Sequence, residues 1–152
     1  MKYWLMKSEP SDYSIDDLKR DKIEPWDGVR NYQVRNMMRD DMQVGDIALF
    51  YHSNTQEIGV VGVMKIVSKA YPDPTQFDPK SLHPDPKSDP DNPRWLCVDV
   101  RFMRKFPRIV SLSEIKECKS LADMRLVQKG NRLSVMPINK KHFDKIISLS
   151  VK

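Results

Sequence analysis

A chain of 152 residues with 39% hydrophobic side chains is long enough to close one core, and no stretch approaches the run of about 18 apolar residues that spans a membrane. The formal charge of +5 hides a segregation: residues 94–152 carry 14 Lys and Arg against 5 Asp and Glu, whereas residues 1–93 carry 12 against 16. A basic face of this kind suits phosphates, although a merely solvated lysine-rich surface has the same composition.

Read along the chain, Lys2–Lys7 (KYWLMK) forms a first strand, stopped at Ser8-Glu9-Pro10 because proline pushes its predecessor out of helical geometry. The apolar run here is too short for a secretory leader, so a cytoplasmic location is expected, with association with a nucleoid left open. Ser14 caps a short helix beginning Ile15-Asp16-Asp17-Leu18, and after the Asp27-Gly28 turn Asn31 caps a second helix reaching Met42, ended by Gly45. Asp46–His52 and Ile58–Val67 are β-branched, apolar runs joined by a short polar turn, and are expected to pair as a hairpin. Gly59 and Gly62 inside the second run point to a bulge or a closely approaching group.

Residues 71–93 hold seven of the eleven prolines, four of them as Asp-Pro, which blocks both helix and ladder and leaves a long loop that is functional or mobile. A strand returns at Arg94–Arg104, Ser111 or Ser113 starts a short helix toward Cys118, and Leu133–Ile138 is a further strand. Asn139 then caps a closing amphipathic helix. The expected fold is α+β, one domain over residues 1–152, with five or six strands in a curved or barrel-like mixed sheet, peripheral short helices and no βαβ alternation. Cys97 and Cys118 are far apart and read as buried thiols. His52, His83 and His142 lack metal-ligand spacing, so neither a disulfide, a metal nor another cofactor is expected.

No nucleophile elbow, zinc-protease or nucleotide-loop motif occurs, and an enzyme is not expected. Trp26–Asn36 (WDGVRNYQVRN) is the densest chemistry in the chain. Its rings can stack on bases, its amides both donate and accept, and its arginines can meet phosphate. The alternative is plain structure: Trp26 in the core, Asn31 as a cap, and Gln33 and Arg35 as solvated helix residues. Tyr51-His52-Ser53-Asn54 ends a strand, where alternation lets only one of Tyr51 and His52 face a given cavity. Arg132-Leu133-Ser134-Val135 sets a cation beside a strand start.

These three clusters, with the opening Tyr3–Pro10 and Tyr71-Pro72-Asp73-Pro74, make the chain resemble the EVE domain family, a branch of the PUA-like superfamily related to the PUA, ASCH, YTH and SRA modules. The resemblance implies a PUA-like pseudobarrel with a cleft that recognises modified bases in nucleic acid. It places the base among Ser8, Pro10, Trp26, Asn31, Tyr32, Gln33, Tyr51, His52, Ser53, Asn54, Leu133 and Ser134. Phosphates would be held by Arg30, Arg35, Lys65 and Arg132. A base held this way must leave its stack, which favours single-stranded or flipped substrates, bound by a monomer. The alternative is an enzyme or small-ligand protein acting on a nucleoside or nucleotide in the same cleft, with His52 as its general base.

Overall fold

All four helices begin on a side-chain oxygen. Ser14, Asn31, Ser111 and Asn139 each accept the backbone N–H three residues on, and so start α1 (Ile15–Asp21), α2 (Tyr32–Asp40), α3 (Leu112–Glu117) and α4 (Lys140–Leu149). Each cap satisfies an amide the first turn would leave orphaned and stabilises its helix by about 1 kcal/mol. At α1 the bond is reciprocal, because Asp17 accepts the Ser14 N–H in return.

The computed structural model describes residues 1–152. Its strands are β1 (Tyr3–Ser8), β2 (Ile23–Trp26), β3 (Ile47–His52), β4 (Gly59–Ile66), β5 (Tyr71–Pro72), β6 (Leu96–Ser111) and β7 (Val135–Ile138). They form a mixed sheet in the order β2-β6-β4-β3-β1-β7, with β5 paired to β6. The chain thus has the expected α+β fold, with seven strands in place of five or six. The two strands not evident from the sequence, β2 and β5, were hidden for physical reasons. β2 carries Pro25, which cannot donate to a ladder and is tolerated here because β2 ends the sheet. β5 is only two residues long. β1 and β3 run parallel from Tyr3↔Ile47 to Ser8↔His52, with α1, β2 and α2 as the crossover. This is a parallel connection where no βαβ unit was expected.

Alternation divides the side chains between two cores. Trp4, Met6, Ala48 and Phe50 face Ile15 and Leu18 of α1 and Val34, Met37 and Met38 of α2. Leu5, Leu49 and Tyr51 face Ile115 of α3 and Ile146 and Leu149 of α4. Asp46 fastens the start of the sheet by accepting the Lys2 N–H, the Trp4 indole N–H and the Gln43 N–H, at 3.0, 3.0 and 2.9 Å.

The hairpin of β3 and β4 forms as the sequence implies, with a register shift at Phe50/Tyr51. Both strand glycines mark close approaches to β6. A Cβ at Gly59 would overlap the Val110 carbonyl oxygen, and one at Gly62 would lie 2.6 Å from the Arg104 carbonyl oxygen. β6 runs past its expected end at Arg104 to Ser111, crossing its irregular pairing with β4. Cys97 is buried as expected. Cys118 is only partly buried, its Sγ 3.3 Å from Ser120 Oγ.

Candidate nucleic-acid interface

β2 delivers Trp26 to the rim of an open cleft of about 640 Å³. One wall is Trp26–Arg30. The others are the β1–α1 turn (Ser8, Glu9, Asp12, Tyr13), Ser53, the proline-rich loop (Thr75, Leu82, His83), and Arg132 with Ser134 ahead of β7. The turns are tied backbone to backbone: Ser53 N–H donates to the Ser8 carbonyl at 3.0 Å, and Lys7 N–H to the Ser134 carbonyl at 2.8 Å.

Trp26 is buried and meets Phe50 edge-on, with ring centroids 5.3 Å apart. It serves the core and the cleft at once. Trp4 and Trp95 donate their indole N–H groups to Asp46 and Asp85, whereas that of Trp26 has no protein partner. No buried side-chain nitrogen or oxygen is left unbonded, so this N–H is open to solvent.

Gly28 turns the chain out of β2 with φ +81°, and its N–H donates to Asp73 at 2.8 Å. A Cβ there would lie 2.6 Å from the His83 ring, so glycine lets the loop close onto this wall. Asp73 also accepts from Arg30 Nη1 (3.0 Å), Thr75 N–H (2.8 Å) and Thr75 Oγ1 (2.6 Å). Burial works to raise its pKa. The bonds from Thr75, Gly28 and Arg30 outweigh that and hold the carboxyl below the usual aspartate value.

The WDGVRNYQ segment divides at Arg30. Trp26 and Arg30 line the cleft; Asn31, Tyr32 and Gln33 do not. The Asn31 amide oxygen is committed to the Val34 N–H at 3.0 Å. Tyr32 stacks on Trp95 with centroids 4.7 Å apart, and Gln33 is an exposed residue of α2. Ser8, Ser53 and Ser134 also line the cleft. Tyr51 lies in the second core, where burial pushes its phenol up to about 12. Pro10 and His52 border a separate groove of about 490 Å³. There His52 Nε2 accepts the Ile15 N–H at 3.1 Å, so its lone pair is occupied, and burial lowers its pKa. Asn54 acts through Glu9, donating to its carboxylate at 3.1 Å, while Leu133 packs against the first core.

The cations fare unequally. Every Arg30 donor is engaged, by Asp73, Thr75 and the Val29 and His83 carbonyls. Arg35 bonds Asn36 and the Arg94 carbonyl and covers the Tyr32 ring at 4.7 Å, and Lys65 is a part-buried β4 residue outside the cleft. Arg132 lines the cleft and makes no ion pair with the protein. Lys7, Asp12, Tyr13, Glu24, Pro25, Thr75, Leu82 and His83 also line the cleft and were not singled out from sequence. For Thr75, Leu82 and His83 the signal was faint, since only the fold of the loop brings them here.

Residues 2–149 match the EVE domain family along nearly the whole chain. This chain is a member of the EVE domain family. Among curated relatives, human thymocyte nuclear protein 1 is 44% identical, over 99% of this chain and 74% of its own length. A hypothetical protein from Leishmania major has the same fold, with a TM-score of 0.95 and 44% identity over 99% of this EVE domain and 95% of that chain. The human THYN1 protein, solved in complex with DNA containing 5-methylcytosine, superposes with a TM-score of 0.93 and 43% identity over 100% of this chain and 99% of that one.

Proposed function

We propose that this EVE domain is a non-enzymatic reader of modified bases in nucleic acid, and that it holds one base in the cleft beside Trp26. The observation that carries the reading is the solved THYN1 complex with 5-methylcytosine-containing DNA, a relative of the same fold over the full chain. The cleft supports it. Its volume of about 640 Å³ lies within the usual range for small-ligand sites, and its walls offer Trp26, whose indole N–H is open, and three serine-bearing segments at Ser8, Ser53 and Ser134.

The base enters unstacked, from single-stranded or flipped substrate, because an open cleft on one side of a sheet cannot admit a base still within a duplex. The chain works as one domain and as a monomer. Apolar contact with a 5-methyl group contributes only about 0.8 kcal/mol, roughly a fourfold preference, so the polar edge of the base must carry most of the discrimination.

Titrating DNA and RNA oligonucleotides with a single 5-methylcytosine, and unmodified controls, at two salt concentrations tests the proposal. The methylated strand is expected to bind most tightly, with affinity falling as salt rises. Equal and negligible binding by all of them at both salts would refute it. Trp26→Ala is expected to remove the preference for the methylated base. A preference that survives in a folded Trp26→Ala protein would mean that the base sits elsewhere.

A further inference from the structure

Four carboxylates, Glu9, Asp12, Glu24 and Asp27, line a cleft proposed to meet a polyanion. Glu9 is held by Asn54. Asp12, Glu24 and Asp27 form no ion pair, and of these only Asp27 follows Trp26 directly, its carboxylate meeting its own backbone N–H and no donor from another residue. It does no structural work that would explain it, since Asn31 caps α2 and Asp73 receives Arg30 and the Gly28 N–H. Burial and the nearby Asp73 charge raise its pKa and outweigh the opposing effects of His83, Arg30 and its own backbone N–H.

Trp26 and Asp27 are consecutive at the end of β2, and together they bring to the cleft an acceptor, the Asp27 carboxylate, and a donor, the Trp26 indole N–H. A 4-aminopyrimidine offers the complement along its pairing edge: an amine hydrogen beside a ring nitrogen that accepts. A 4-oxopyrimidine offers the inverse, a carbonyl oxygen beside a ring N–H, and would face acceptor with acceptor and donor with donor.

We infer that Asp27 makes the cleft selective for 4-aminopyrimidines, cytosine and its 5-substituted forms, over thymine and uracil, by accepting the exocyclic amine while Trp26 donates to the adjacent ring nitrogen. This rests on the reading that the base enters the cleft. Asp27 is then the specificity-determining residue, and the methyl group adds a smaller preference on top of it.

The test compares oligonucleotides that differ at one position only: 5-methylcytosine, thymine, or an abasic site. Thymine keeps the methyl group and changes only the edge. Wild type is expected to favour 5-methylcytosine over thymine by roughly tenfold or more. Asp27→Asn, whose amide can turn to donate to the thymine oxygen, is expected to shrink that ratio to a few-fold, partly through tighter thymine binding. Asp27→Ala is expected to shrink it without the gain for thymine. Removing a charge that merely repels DNA would tighten both ligands in parallel, and an unchanged ratio in the folded Asp27→Asn protein overturns the inference. Equal binding of both pyrimidines above the abasic control by wild type overturns it too, yet leaves the cleft reading standing. Binding of neither above the abasic control overturns the cleft reading itself.

Discussion

Asp27 and Asp73 flank one glycine and titrate in opposite directions. Asp27 precedes Gly28 in the chain, and Asp73 accepts the Gly28 N–H at 2.8 Å. Asp73 is fully buried with its pKa lowered, so it contributes stability above the unfolded-state value that disappears as pH falls through the folded one. Removing it strands the Arg30 guanidinium and the Gly28 amide. Asp73→Ala is therefore expected to cost about 3 kcal/mol in urea unfolding near neutral pH, with a smaller deficit in acid. Asp27 has its pKa raised, chiefly by burial, so the folded state is penalised for its charge above the folded pKa and relieved below the unfolded one. Asp27→Asn is expected to raise the Tm slightly at pH 7 and to lose that advantage as pH drops below the ordinary aspartate range. A lower Tm at pH 7 would show Asp27 to be a structural residue. The sequence could not separate these two aspartates, each of which stands next to a turn-forming glycine or proline; only the fold reveals that one is bonded four times by other residues and the other meets only its own backbone N–H. Asn31 shows the opposite case, because its capping role was legible from its position before an apolar-periodic run, and that role occupies the oxygen a base-reading role would require.

The proline-rich segment is the element whose behaviour departs furthest from its composition. Its prolines do stop regular structure, but side chains replace the missing ladder. Buried Gln76 donates to the Asp73 and Trp95 carbonyls at 2.7 and 2.9 Å and accepts from Ser88 Oγ and the Trp95 N–H at 2.6 and 3.1 Å. Asp85 takes the Trp95 indole N–H at 2.6 Å. The loop is thus a fixed wall that presents Thr75, Leu82 and His83 to the cleft, and excising residues 75–91 would remove part of the site with it. Gln76→Ala leaves the Trp95 amide and the Ser88 hydroxyl without their acceptor, at an expected cost of about 2 kcal/mol. Hydrogen exchange is expected to accelerate across residues 78–90 more than in β3 or β4. Uniform acceleration along the chain would mean that the loop unfolds only with the whole protein. Elements with a strong period or a cap, such as the β3–β4 hairpin and the four helices, were readable in the sequence. β2 was not, because Pro25 argues against a strand until an edge position is known to tolerate it.

At the scale of the molecule, the cleft is lined by four carboxylates, whereas the chain's net positive charge is concentrated after residue 94. Net charge alone implied a phosphate-binding face without placing it, and counting arginines near the tryptophan overestimated it. Arg30 is paired with Asp73 and holds the loop, and Arg35 is held by the Asn36 amide and the Arg94 carbonyl away from the cleft lining. Arg132 is exposed at the cleft and unpaired. A cation that meets a phosphate releases counterions on binding, whereas one that holds a wall releases none. The dependence of log K on log salt therefore distinguishes the two. Arg132→Ala is expected to weaken binding to methylated and unmethylated strands alike and to reduce the slope by about one, with the Tm nearly unchanged. Arg30→Ala is expected to lower the Tm by loosening the loop from Asp73 while leaving the slope intact in the protein that remains folded. The reverse assignment, a slope that changes with Arg30 and not with Arg132, would place the nucleic-acid backbone along the proline-rich loop instead of the approach to β7.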